Sequence, residues 1–261
     1  MMFDTLLLQQ TGSVATLTLA RPDVRNAFNE TMIAELSEAF LALSADDSIR
    51  AIVLAAQGAA FCAGADLNWM KKMADYSHAE NLADAAQLAR MLSAIHDCRH
   101  PVVALVAGDC YAGGMGLVAA CDIVLCVEGV NFCLSEVRLG LIPATISPYV
   151  IKAMGENAAR RYFLTAERFD AAEALRIGFV HEVVTAAASA PRLAELLKAL
   201  TANSPHAVRA AKQLLQQVSG AALTPALLAQ TVEQIAAIRA SDEGREGVRA
   251  FLEKRKPAWL Q

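Results

Sequence analysis

An α/β fold with its helices segregated toward the C-terminal end is predicted by three features of the sequence. Apolar runs of strand length, rich in β-branched residues, recur at residues 49–57, 102–107 and 123–127. The first two are each followed by a turn of small residues and then a helical pattern. Beyond residue 185 the periodicity is helical to the last residue. The expected division is a core over residues 1–185 and a helical region over residues 186–261, with no flexible linker between them.

Residues 4–10 and 13–20 read as two strands, with QQTGS over 9–13 making the turn. The second strand alternates Val14, Thr16 and Thr18 with Ala15, Leu17 and Leu19. A loop, RPDVRN over 21–26, precedes Asn29, which is placed to cap a helix reaching Ser44. Its apolar residues Met32, Ile33, Leu36, Phe40 and Leu43 fall at helical spacing. Residues 49–57 form a buried strand, 58–67 a small-residue turn, and a helix begins at Asn68. That pattern runs to Arg99 with an interruption at Tyr76 and Ser77, and Pro101 ends it. The strand over 102–107 leads to Ala112-Gly113-Gly114, a short apolar helix over 115–120 and the strand over 123–127. Residues 155–165 read as a helix, Asp170 caps a short one, and 178–184 read as a strand. The tail breaks at Ser204-Pro205, Thr224-Pro225 and Ser241-Asp242.

The 261 residues are 55% hydrophobic, enough for a sizeable core and for buried subunit interfaces. The net charge of −4 gives no electrostatic footprint for nucleic acid. Six cysteines lie mostly in apolar or small-residue runs without a CxxC pair, as reduced core residues do. Cys62 adjoins the proposed site, but no base partner for it is evident. The five histidines show no metal-ligand spacing, so no metal or other cofactor is expected. MMFDTLLLQQ lacks the features of a signal or transit peptide, and no apolar segment spans a membrane. The expectation is a soluble, cytoplasmic protein.

Strand, glycine turn and helix, in that order, aim free backbone N–H groups at developing negative charge. The units at 49–67 and 102–120 each supply such a turn. Glu136 stands alone in an apolar neighbourhood, FCLSEVRLGL. Two N–H donors and a carboxylate in apolar surroundings point to acid–base chemistry beside a carbonyl. A structural alternative makes Glu136 a cap or the ion-pair partner of Arg138. Asp66 is placed to organise its loop or cap the next helix, and Asp122 to satisfy backbone groups at a helix–strand junction.

FCAGADL at 61–67, AGGMGLVAACD at 112–122 and the SEVRLGLIP that follows resemble the crotonase (enoyl-CoA hydratase/isomerase) superfamily. RPDVRNAFN at 21–29 is similar to its N-terminal signature, and the likeness covers essentially the whole chain. FCAGADLNWM and SEVRLGLIPATISPYV most resemble the methylglutaconyl-CoA and γ-carboxygeranoyl-CoA hydratases. The resemblance implies a spiral of ββα turns with a helical C-terminal region used for trimerisation, as a trimer or a dimer of trimers. It also implies a coenzyme A thioester as substrate, with the Ala65 and Gly113 amides as the oxyanion hole.

Hydratases of the family use two glutamates, of which one matches Glu136 and the other falls at Gly116. Gly116 costs a helix about 1 kcal/mol relative to Ala. One explanation is room for a substrate branched at C3; another is isomerase chemistry with a single carboxylate. For hydration, Glu136 activates water for attack at C3 and delivers a proton to C2. Arg25 and the C-terminal Lys254 and Arg255 are the implied cations for the CoA phosphates. By the same resemblance the backbone at Ala63 and Asp66 would meet the adenine side, and Leu67, Gly114 and Gly116 are further candidates for substrate or CoA binding. A distal carboxylate on the acyl chain has Asn68, Lys71, Lys72, Tyr111 and Arg138 as candidate partners, with Trp69 and Met70 as candidate walls. RNA binding, known for a relative, is the alternative of another class, and the acidic charge opposes it. A catalytically silent homologue is the other.

Overall fold

The structure, a computed structural model, describes residues 2–260. It opens with the expected hairpin, β1 (Leu6–Thr11) antiparallel to β2 (Val14–Leu19). Ala15, Leu17 and Leu19 are fully buried while the residues between them are half-exposed, as the period-two pattern requires. A 3-10 turn (Pro22–Val24) leads to α1 (Glu30–Ala45). The Asn29 side chain accepts the Met32 N–H at 3.1 Å, and all five predicted apolar residues of α1 are buried.

The core then repeats one motif three times. A longer strand joins a large sheet, a short strand joins a second sheet, and a helix follows. β3 (Ala51–Ala56) leads to β4 (Ala60–Cys62), α2 (Leu67–Met73) and α3 (His78–His96). β5 (Val102–Val106) leads to β6 (Asp109–Tyr111) and α4 (Gly113–Ala119). β7 (Ile123–Val127) leads to β8 (Asn131–Cys133), a 3-10 turn (Glu136–Leu139) and α5 (Ser147–Thr165). The large sheet is ordered β1-β2-β3-β5-β7-β10, parallel from β2 onward. Parallel strands are covered on both faces, which is why β3, β5 and β7 read as continuous apolar runs.

The small sheet is ordered β4-β6-β8-β9, its first three strands parallel. β9 (Phe169–Asp170) pairs antiparallel with β8. These two- and three-residue strands are too short to carry periodicity, and the sequence reading passed over them as turns. Asp170 caps α6 (Ala171–Arg176) as expected, accepting the Glu173 N–H. The strand read over 178–184 shrinks to β10 (Glu182–Val184). The Phe179 and Val180 amides are spent on the Ala174 carbonyl, closing α6 rather than extending a ladder. The helical span that includes the helix read from residue 155 begins about two turns earlier, at Ser147. Gly155 (φ 77°, ψ 155°) is non-helical and divides that span into two helices, the second of which is the one expected over 155–165.

The tail comprises α7 (Ala186–Ala202), α8 (Pro205–Val218), α9 (Pro225–Ala240) and α10 (Asp242–Leu252), then a 3-10 turn (Ala258–Leu260). Ser204, Thr224 and Ser241 cap the last three helices at the predicted breaks. Buried Lys212 ties α8 to the core. Its Nζ donates to Asp122 Oδ2 at 2.6 Å and to the His100 carbonyl at 3.1 Å. The same Asp122 oxygen accepts the Val102 N–H at 2.7 Å, the backbone role expected of it. Among the described residues no helix is long and apolar enough to cross a membrane.

Candidate active site

Ala65, Gly113 and Glu136 converge because of the small sheet. Each follows the C-terminal end of one of three adjacent parallel strands: Ala65 after β4, Gly113 after β6 and Glu136 after β8. Groups that leave the same edge of a parallel sheet share one crevice, where α/β folds place their ligands. The two turns abut. A Cβ on Gly64 would lie 3.0 Å from the Ala112 Cβ and 3.8 Å from the Gly113 nitrogen. Gly64 has φ +92°, a conformation that L side chains rarely adopt, so this close approach demands glycine.

Both donors are free by geometry. The Ala65 loop forms a parallel bridge with Phe28, in which Phe28 N–H donates to Gly64 O at 2.9 Å and Asp66 N–H to Phe28 O at 3.0 Å. That pattern leaves the Ala65 N–H on the opposite side of the strand. Gly113 is the first residue of α4, where an amide has no intrahelical acceptor. The residue before it, Ala112, has φ 47° and ψ −125°, a strained conformation for a residue with a side chain. Strain of this kind costs on the order of 1–3 kcal/mol and persists where surrounding contacts enforce it. Here Ala112 N–H donates to Cys133 O at 2.8 Å and Ala112 O accepts Met115 N–H at 2.9 Å.

Glu136 opens the 3-10 turn after β8. Its Oε2 is buried and has no hydrogen-bond partner. Burial raises the Glu136 carboxyl above its ordinary value, offset in part by its own backbone N–H. The ion pair with Arg138 does not form; Arg138 donates instead to the Ala166 carbonyl at 2.5 Å. Glu136 is therefore a half-buried carboxyl whose neutral form is favoured by burial, at the sheet edge that also presents the Ala65 and Gly113 amides.

The other predicted residues sort themselves by their partners. Arg25 is exposed beside the oxyanion loop, whose Ala63 N–H donates to the Arg25 carbonyl at 3.0 Å. Leu67 and Asn68 are exposed at the start of α2. The Asp66 side chain is engaged within the chain. Its carboxylate is 2.8 Å from the Arg21 guanidinium and accepts the Asn68 N–H at 2.8 Å, capping α2. Burial alone would raise the Asp66 carboxyl, but these hydrogen bonds and Arg21 bring it below its ordinary value. With the Ala63 and Asp66 amides both engaged, neither N–H is available to an adenine. Tyr111 donates to Asp109 Oδ2 at 2.6 Å and lies under Arg168, which leaves it no free hydroxyl proton for a substrate. Gly114 packs α4 on β4, since a Cβ there would meet Cys62 Cβ at 2.8 Å. Cys62 itself is fully buried, its thiol pushed up to about 12 by desolvation, as an inert core residue should be. Lys254 lies just past the Glu253 cap of α10, which packs on α8 and α9, and among the described residues no contact brings it to the crevice.

Gly116 is a correction. The space beside it is filled: a Cβ there would overlap Ile146 Cγ2 and lie 2.8 Å from Ile146 Cβ. The glycine makes room for a protein side chain, not for a substrate branch. Sequence reasoning also missed Arg21, Phe28 and Ile146. The first two lie inside RPDVRNAFN, where attention went to Arg25; a buried partner for Asp66 was the signal to look for. Among the described residues no cluster of His, Cys, Asp or Glu could hold a metal ion.

A sheet edge that presents two free amides and a desolvated carboxyl is an arrangement able to hold negative charge on a carbonyl oxygen and to exchange a proton. The enoyl-CoA hydratase/isomerase family model matches residues 9–261, and the chain belongs to that family. It is 34% identical to 2,3-dehydroadipyl-CoA hydratase of Escherichia coli K12 over 254 residues, 97% of each chain. Among solved structures, an enoyl-CoA hydratase from Shewanella pealeana is 43% identical with a TM-score of 0.96, over 98% of this chain and 96% of that one. Pseudomonas aeruginosa AtuE is 37% identical with a TM-score of 0.94, over 99% and 100%.

Proposed function

We propose that the protein hydrates an α,β-unsaturated acyl-CoA and that its substrate is 3-methylglutaconyl-CoA or a similar 3-branched, carboxylated thioester. The observation that carries the hydratase reading is the buried, unpartnered Glu136 Oε2 at the sheet edge that also presents Ala65 and Gly113. The thioester oxygen sits between the two amides. The Glu136 carboxylate takes a proton from water as its oxygen bonds to C3, and the C2–C3 π electrons move into the enolate. The protonated Glu136 then returns a proton to C2. One carboxyl completes the cycle when both additions occur on the same face. Donors of this kind contribute roughly 2.7–4 kcal/mol each to lowering the barrier.

The substrate assignment rests on the resemblance of FCAGADLNWM and SEVRLGLIPATISPYV, and on a cation. Lys72 is paired with Glu30 at 2.9 Å, whereas among the described residues Lys71 has no partner, so Lys71 is our candidate for the distal carboxylate. Arg25 meets the CoA phosphates. Exposed Val232, Val248, Phe251 and Leu252 on α9 and α10 support a homotrimer or dimer of trimers, in which Lys254 would reach a neighbour's CoA.

The test is turnover of crotonyl-CoA and 3-methylglutaconyl-CoA side by side, with products weighed by mass spectrometry. Gain of one water with preference for the branched acid supports the reading. Preference for crotonyl-CoA removes the branched substrate. No gain on either moves the assignment to an enoyl-CoA isomerase, which the single carboxylate favours as second reading; 3-enoyl-CoA is then the substrate to try.

A further inference from the structure

A buried residue at the start of α5 packs against α4, the helix that begins at Gly113. Gly113 and Gly116 are three residues apart on α4, so they lie on neighbouring faces about 4.5 Å apart along the axis. The space beside Gly116 is filled from two sides. Ile146 places its Cγ2 and Cβ there, and Leu92 Cδ2 lies 3.5 Å from the same point. Ile146 is 2% exposed and is the N-cap residue of α5; Leu92 is fully buried on α3. Ile146 also ends the segment that begins at Glu136. Leu141 N–H donates to Glu136 O at 3.1 Å, the turn packs on α5, and Val150 N–H donates to Ile146 O at 3.0 Å. The side chain thus stands between the helix that presents one oxyanion donor and the turn that presents the carboxyl.

We infer that Ile146 is a specificity-determining residue: wedged against Gly116, it sets the size of the C3 substituent that the site accepts. The inference rests on the hydratase reading. With the thioester oxygen at Gly113, C3 lies two bonds beyond the carbonyl carbon, toward Glu136. On that reading a substituent on C3 projects along α4 toward the volume that the buried Ile146 side chain holds. A methyl branch fits against that branched surface. A longer branch needs the volume that Ile146 holds. Shortening Ile146 frees that volume without touching the amides or Glu136, because Gly116 contributes no side chain of its own.

The test compares 3-methyl- and 3-propyl-substituted 2-enoyl-CoA thioesters in the parent protein, Ile146→Val and Ile146→Ala. Dissociation constants of the matching saturated 3-methyl and 3-propyl acyl-CoA esters are measured by calorimetry. The expected result is that Ile146→Ala moves the kcat/KM ratio toward the propyl substrate by tenfold or more, the range one or two methylenes command in an apolar pocket. The calorimetric ratio should move with it, and Ile146→Val should fall between. Equal changes for both substrates in a folded variant would overturn the inference, because a merely structural role lowers both alike. Should Ile146→Ala fail to fold, Ile146→Val decides: an unchanged ratio overturns the inference. A parent protein that hydrates no enoyl thioester defeats the hydratase reading instead, and the calorimetric ratio still decides the role of Ile146.

Discussion

The Phe28 ring fills the space into which a side chain at Gly113 would project, with Cε1 3.0 Å and Cε2 3.3 Å from the position of a Cβ there. Phe28 is also the bridge partner of Ala65, and its ring packs on Trp69 with centroids 5.9 Å apart. One residue therefore touches both of the turns that present a free amide. Gly113→Ala should cost about 1–3 kcal/mol by overpacking. It should also lower kcat by roughly 10²–10³ as the amide is displaced, a loss of the size seen when one donor is removed. Adding Phe28→Leu should recover part of the melting temperature. Paired melting curves and steady-state kinetics check this; a Gly113→Ala enzyme with parental kcat would contradict the assigned donor.

Glu136→Gln should abolish most activity without destabilising the protein. General acid–base groups contribute about 10²–10⁴-fold, and here one group performs both transfers. The buried Oε2 has no partner to lose, and a neutral amide removes the desolvation that raises the carboxyl. Above the ordinary glutamate value the folded state therefore carries a penalty for the charged form, which the variant lacks. We expect turnover down by at least a hundredfold and a melting temperature at pH 7 equal to or above that of the parent. A large drop in both would make Glu136 a structural residue.

The same raised carboxyl predicts the pH profile. Water activation needs Glu136 ionised, so kcat/KM should rise with pH through a limb above the ordinary glutamate value of 4.5. The limb should follow the residue: residual activity of Glu136→Gln should lack it. A profile flat down to pH 4.5 would exclude Glu136 as the group that must be ionised.

Lys71→Ala separates the two ends of the substrate. If Lys71 meets the distal carboxylate, KM for 3-methylglutaconyl-CoA should rise about five- to fiftyfold, the loss of a charge-assisted hydrogen bond. KM for crotonyl-CoA, which has no second carboxylate, should not move. Lys72→Ala is the control, since Lys72 is held by Glu30.

How much of this was legible beforehand depends on length scale. β3, β5 and β7 announced themselves because burial on both faces leaves an unbroken apolar run. The caps at Asn29 and Asp170, and the breaks at which Ser204, Thr224 and Ser241 cap their helices, were readable because capping is a local interaction. The small sheet was not, although AFC, DCY and NFC each place a cysteine in a short strand just before a site residue. Ala65, Gly113 and Glu136 could be named from motif, but the reason they meet is that sheet. Gly116 was misread because a glycine shows that space is needed, not what fills it. The answer, Ile146, lies thirty residues away and belongs to tertiary packing.

His100 offers a test of the fold that is independent of the site. It is 1% exposed, and its Nε2 lies 3.1 Å from the Asp46 carbonyl. Burial, with the Arg99 and Arg209 guanidiniums nearby, lowers its value from 6.5 to about 4. The folded state thus prefers the neutral ring, while the unfolded chain takes up a proton near pH 6.5. Its contribution is complete above pH 6.5 and is lost as pH falls toward 4, a window worth about 3 kcal/mol. Paired carboxylates such as Asp66 begin to titrate at the lower end of that window, so the informative range is pH 6.5 to 5. His100→Gln keeps a donor for Asp46 and removes the titration. Denaturant unfolding of parent and variant should therefore show a steeper acid slope in the parent across this range. Parallel slopes would mean that His100 is protonated equally in both states, and that the α1–β3 loop opens to solvent before the rest of the fold.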